Sequence, residues 1–127
     1  MDPSPQRHIL VVEDDDAYRR LVARMLQRAG YAVTAVEDFA AAVKVIDGAQ
    51  AIDLLLTDIG MPAGTPHGLS IGNVAQFRRQ GLRVLYMTGE HDATQFAQFA
   101  PDAKVLQKPF TADQLVAAVT DVIGDGA

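Results

Sequence analysis

The chain has 127 residues, 49% of them hydrophobic, which suits one compact core and is too little for two. Its 11 Lys+Arg against 16 Asp+Glu leave a formal net charge of -5, the opposite of the clustered positive charge that nucleic-acid phosphates demand. Cysteine is absent, which excludes disulfides and thiolate metal sites, and no apolar run approaches the ~20 residues that span a bilayer.

Residues Met1 to Gln6 hold no apolar stretch of the secretory type and are expected to be a flexible segment, so a cytoplasmic domain is the simplest expectation. The first strand is predicted at His8–Val12, a continuous apolar run of the sort that is buried on both faces of a sheet. A helix follows over Asp16–Arg28. Tyr18, Leu21, Val22, Met25 and Leu26 make its core-facing stripe, Asp15 or Asp16 is its N-cap, and Gly30 stands just past its end. The second strand is Ala32–Val36. The second helix is Phe39–Asp47, between the N-cap Asp38 and Gly48. A third strand over 54–57 precedes a helix over 69–79 that Gly81 closes. A fourth strand over 84–87 precedes a short helix over 93–99 that Pro101 forbids to continue. The fifth strand spans 105–107. The last helix, Ala112–Ile123, opens on a Thr111/Gln114 capping box, and residues 124–127 are a tail.

Strand and helix thus alternate five times. That pattern predicts an α/β domain with a five-stranded parallel sheet, doubly wound, with helices on both faces. Ligands in such folds sit beyond the carboxyl ends of the strands, where strand order reverses. Glu13-Asp14-Asp15-Asp16 follow the first strand, Asp58 the third, Thr88-Gly89 the fourth and Lys108-Pro109-Phe110 the fifth. Consecutive carboxylates repel one another unless something neutralises them, and a hard divalent cation such as Mg²⁺ prefers a few carboxylates with water and phosphate oxygens. A lysine is a compact point charge suited to a phosphoryl or carboxylate oxygen, and a threonine hydroxyl can hydrogen-bond a phosphoryl oxygen. The strand ends therefore describe a Mg²⁺-dependent phosphoryl-handling site, in which one carboxylate is a candidate nucleophile.

Four segments carry a family resemblance: Ile9-Leu10-Val11-Val12-Glu13-Asp14-Asp15, Asp53 through Pro62 around Thr57-Asp58-Ile59-Gly60-Met61-Pro62, Val84-Leu85-Tyr86-Met87-Thr88-Gly89, and Lys108-Pro109-Phe110. In this order the chain resembles a response-regulator receiver domain, the phosphoacceptor of two-component systems, over about residues 7–123, with no output domain. It is similar to the single-domain type used in chemotaxis. The resemblance implies a (βα)5 flavodoxin-like fold with strand order 2-1-3-4-5. It implies Asp58 as the residue phosphorylated by a sensor histidine kinase or a histidine phosphotransfer protein. Asp14, Asp58 and the backbone carbonyl of Gly60 would hold Mg²⁺, with Glu13 acting mainly through metal-bound water. Thr88 would bind a phosphoryl oxygen. Lys108 would pair with the carboxylate and then the phosphoryl group, and its bond to Pro109 would be cis. Phosphorylation would be read by a downstream protein. The chain would be no enzyme beyond its own phosphorylation and dephosphorylation, and would be a monomer or weak dimer that binds neither nucleic acid nor membrane.

Three positions depart from the family pattern. Val105 stands where an aromatic residue is usual, three before the lysine. The loop after Asp58 reaches its usual glycine only at Gly68, about two residues late. Gly60 offers no side chain two positions after the acceptor. Val105 and Gly60 leave a phosphate sink or a phosphorylation-independent scaffold as an alternative. Similarity to receivers of hybrid kinases around Val105–Phe110 suggests a relay role. Asp14-x-Asp16 has the D-x-D form of haloacid-dehalogenase-like phosphatases, a third and weaker reading. Arg20, Arg24 and Arg28, four apart on the first helix, make a solvated stripe, or a docking face for a kinase bundle. His8, His67 and His91 show no metal-ligand spacing, Phe96 is assigned to the core and Phe99 to a partner-facing position, and no glycine-rich nucleotide loop is present.

Overall fold

A computed structural model of the chain describes residues 6–59, 68–89 and 103–124, with the backbone alone at 68–70. The elements are β1 (His8–Val12), α1 (Asp16–Arg28), β2 (Ala32–Val36), α2 (Phe39–Asp47), β3 (Leu54–Asp58), α3 (Gly68–Arg78), β4 (Arg83–Thr88), β5 (Lys104–Gln107) and α4 (Ala112–Ile123). The helix predicted over 93–99 lies outside the described residues, as do Gly60, His67, His91, Phe96 and Phe99.

All five strands are parallel, in the order β2-β1-β3-β4-β5. The order reverses between β1 and β3, so these central neighbours form the switch point, with Val12 level with Thr57. Alternation along the strands feeds two cores. Ile9, Val11, Leu54, Leu56, Leu85 and Met87 face one way, against Val22 and Leu26 of α1 and Leu115 and Val119 of α4. Leu10, Val12 and Leu55 face the other, against Ala42 and Ile46 of α2 and Ile71 and Ala75 of α3. Burial on both faces holds for β3 throughout and for all of β1 after His8. It fails for the edge strands: β2 is half-buried with Ala35 exposed, and β5 is mostly exposed. An edge strand has one neighbour and lies at the margin of the helical layers, so an apolar run there is less completely covered.

The helix ends follow local chemistry. Asp15, not Asp16, is the N-cap of α1 and accepts from the Tyr18 N–H, while Asp38 accepts from the Ala41 N–H at the start of α2. Thr111 and Gln114 close the expected capping box on α4. Gly30, past the end of α1, has a φ of 99°, a conformation that glycine adopts without penalty. Leu21 departs from its predicted place: it is 47% exposed on the outer side of α1. Val22 and Leu26 alone of the stripe are fully buried.

One tether has no counterpart in the sequence patterns. The guanidinium of Arg79, just beyond α3, reaches the C-terminal end of α2. Its Nε donates to the Ile46 carbonyl (2.8 Å), Nη1 to Gln50 (2.6 Å), and Nη2 to Gly48 (2.9 Å) and Val45 (3.3 Å). The Ile46 carbonyl belongs to the last turn of α2, whose carbonyls lack partners within the helix, and a cation there also opposes the helix dipole. Arg79→Ala should lower the unfolding free energy by about 1.5–3 kcal/mol, read as a lower urea midpoint with an unchanged slope. Arg79→Lys should recover only part of it, because one ammonium cannot serve four carbonyls.

Candidate phosphoryl-transfer site

Glu13 follows β1 and Asp58 ends β3, and the pairing of these strands puts the two carboxylates side by side at the switch point. Asp14 joins them: one carboxylate oxygen from each of Glu13, Asp14 and Asp58 lies within 4.8 Å of the others. Glu13 is 1% and Asp58 6% exposed, whereas Asp14 opens to solvent. Lys108 reaches between the buried pair, its Nζ 2.6 Å from Glu13 Oε1 and 3.0 Å from Asp58 Oδ2. The bond from Lys108 to Pro109 is cis, and the Lys108 N–H donates to the Thr88 carbonyl at 2.8 Å, which ties the end of β5 to the end of β4. Thr88 is fully buried at that end, one residue beyond the register partner of Asp58, and its hydroxyl donates to the Gly89 carbonyl.

Two α1 residues support the site. The Lys108 Nζ lies 4.6 Å from the centroid of the Tyr18 ring, and Phe110 meets Tyr18 edge-on at 5.8 Å. Arg19 Nη1 donates to the Glu13 carbonyl at 3.0 Å. Tyr18 was legible only as a core residue, and Arg19 left no signal, since its role depends on where the first turn of α1 meets the end of β1. Asp16 points elsewhere. It pairs with Arg19 and Arg20 on α1 itself, so Asp14-x-Asp16 does not form the two-carboxylate centre that the phosphatase reading requires. His8 is likewise spoken for: its ring shares hydrogen bonds with Thr34 and Gln50, and its backbone N–H donates to Asp53.

Burial pushes the Glu13 carboxyl from its ordinary 4.5 up to about 7, against the pull of the Lys108 hydrogen bond and the Asp15 N–H, while the Asp58 charge adds to the rise. Burial by itself would lower Lys108, but its hydrogen bonds to Glu13 and Asp58 outweigh that and hold the ammonium above its ordinary range. A carboxyl with a raised folded-state value favours folding at low pH and loses that contribution as pH rises from about 4.5 through 7. In chelator-containing buffer, the thermal midpoint of the wild type should therefore fall relative to Glu13→Gln across that window. Parallel curves would show that Glu13 is not desolvated.

The cluster holds three carboxyl groups against the one ammonium of Lys108, so acidic groups outnumber basic ones in it. The donors are oxygen only and one side of the cluster is open, a set that fits a hard divalent cation such as Mg²⁺.

The response regulator receiver domain family model matches residues 9–120. The chain belongs to this family. The Brucella abortus response regulator receiver protein CpdR is 34% identical over 118 residues, covering 87% of this chain and 91% of CpdR. The Candida albicans transcription factor SKN7 is 30% identical over 93% of this chain, which spans only 21% of SKN7. A response regulator receiver protein from Sinorhizobium medicae superposes with a TM-score of 0.82 at 29% identity, covering 96% of this chain and 98% of that one. The sheet order of this receiver is the one its sequence resemblance implied, and no helix among the described residues is long and apolar enough to cross a membrane.

Proposed function

We propose that the chain accepts a phosphoryl group on Asp58 from a sensor histidine kinase or histidine phosphotransfer protein and signals by protein–protein contact. The observation that supports this most is the convergence of Asp58 with Glu13, Asp14 and Lys108 at the switch point of the sheet. An Asp58 carboxylate oxygen attacks the phosphorus. The bond from phosphorus to the donor imidazole nitrogen breaks, and its electron pair leaves with the imidazole. Lys108, within reach of both Asp58 and Glu13, holds the acceptor oxygen in place beforehand and pairs with the phosphoryl group afterwards. Thr88, at the end of β4, donates its hydroxyl to a phosphoryl oxygen. Glu13, Asp14, Asp58 and the Gly60 carbonyl would hold Mg²⁺, which supplies neutralising charge to the phosphoryl oxygens when bound. The chain turns over no external substrate in this scheme, and acts in the cytoplasm.

The test is Mg²⁺ with acetyl phosphate, followed by intact-mass measurement. One added phosphoryl group, lost when chelator replaces Mg²⁺, is expected; no gain in mass sinks the reading. Val105, 39% exposed on β5, favours a second possibility, a scaffold that binds partners in either state. Equal partner affinity of wild type and Asp58→Ala would support that scaffold, and lost affinity the switch.

A further inference from the structure

Tyr86 on β4 and Val105 on β5 are register partners. Opposite residues in neighbouring strands leave the sheet on the same face, yet Tyr86 is 5% exposed and Val105 is largely open. Tyr86 also stands two residues before Thr88, so the two side chains share one face of β4. The tyrosine ring points at α3. A Cβ added at Gly72 would lie 2.1 Å from the Tyr86 Oη and 2.9 Å from its Cζ, so the ring tip fills the notch that Gly72 leaves in the helix. Tyr86 packs with Ile59, the residue after Asp58. The Ile59 N–H in turn donates to the carbonyl of Met87, the residue between Tyr86 and Thr88, at 3.0 Å. One rigid side chain therefore touches the turn beyond Asp58, follows the backbone that carries Thr88, and keys into α3.

We infer that Tyr86 is the side chain through which the state of Asp58 reaches α3, a positioning residue seated at Gly72 in one state and displaced in the other. This rests on the reading of Asp58 as acceptor. Drawing Thr88 toward a phosphoryl group moves the end of β4 and, through the Ile59 hydrogen bond, the turn after Asp58. A close-packed interior does not absorb such a shift gradually, and a planar ring moves as a unit.

The test uses protein labelled with 3-fluorotyrosine. Its three tyrosines are Tyr18, Tyr31 and Tyr86, and Tyr86→Phe assigns the third resonance. Tyr18 lies beneath Lys108 and will respond to any change at the site; Tyr31 is the control. With Mg²⁺ and acetyl phosphate, the Tyr86 resonance should shift in proportion to the mass gain while Tyr31 stays. In Gly72→Ala, which evicts the ring tip, it should start displaced and no longer move. In Tyr86→Leu the mass gain should persist, but the phosphorylation-dependent change in hydrogen exchange over 68–78 should disappear. That last measurement decides the matter if Gly72→Ala does not fold. A still Tyr86 resonance at full mass gain, or an α3 response that survives Tyr86→Leu, overturns the inference and leaves the acceptor reading intact. Absence of any mass gain overturns both.

Discussion

Asp58→Asn should take up no phosphoryl group from acetyl phosphate and Mg²⁺ over the time in which the wild type is fully converted. The substitution keeps the shape and removes only the charge and the nucleophilic oxygen. Its amide oxygen can still accept from Lys108, now 3.0 Å from Asp58 Oδ2, so the fold should survive and the loss will be chemical. The other carboxylates are poor substitutes. Glu13 is buried beneath Lys108, which bonds its Oε1 at 2.6 Å, and burial pushes its pKa up to about 7. Asp14 is open to solvent, and the hydrogen bonds of Lys108 go to Glu13 and Asp58 instead. A mass increase that persists in Asp58→Asn would move the acceptor to Asp14, and peptide mapping would show it.

Lys108→Met should slow phosphoryl uptake by about 100-fold or more, the usual cost of removing one preorganised donor from a transferring group. The same substitution should also destabilise the fold by about 3–5 kcal/mol in metal-free buffer, because Glu13 and Asp58 lose the ammonium that lies between them. These two effects separate. Mg²⁺, or a second substitution Glu13→Gln, should restore most of the lost stability by reducing the repulsion. Neither should restore the rate, since neither puts an ammonium back beside Asp58. A double variant that is stable and fast would reduce Lys108 to a structural counter-charge.

Much of this receiver was legible in residue order. Apolar runs of strand length alternating with helical stripes specified a parallel sheet, because a parallel pair needs a crossover and the helices provide it. Asp15, Asp38 and Thr111 declared their helix starts through side chains that bond backbone N–H groups three residues on, a local chemistry that needs no tertiary partner. The four strand-end motifs named Glu13, Asp14, Asp58, Thr88 and Lys108 as one site, since parallel strands all end on the same edge. What failed had a spatial cause. Leu21 has the right helical phase for the core, but the buried face of α1 is carried by Val22 and Leu26 and leaves it outside. The order 2-1-3-4-5 implied by the resemblance already placed β2 and β5 at the edges, but how far each edge strand is covered depended on the packing of the helical layers.

Residue order alone carried the α/β alternation, the caps and the convergence of Glu13, Asp14, Asp58 and Lys108, because each depends on a period, a short spacing or the shared direction of the strands. Tertiary structure alone decided the rest. Lys108 meets Glu13 across 95 positions of chain, Arg79 finds the end of α2 more than 29 positions back, and Tyr86 lodges at Gly72. Each of those contacts depends on the distance and angle between packed elements, and on the low dielectric and close packing between them, none of which is encoded in any single stretch of residues.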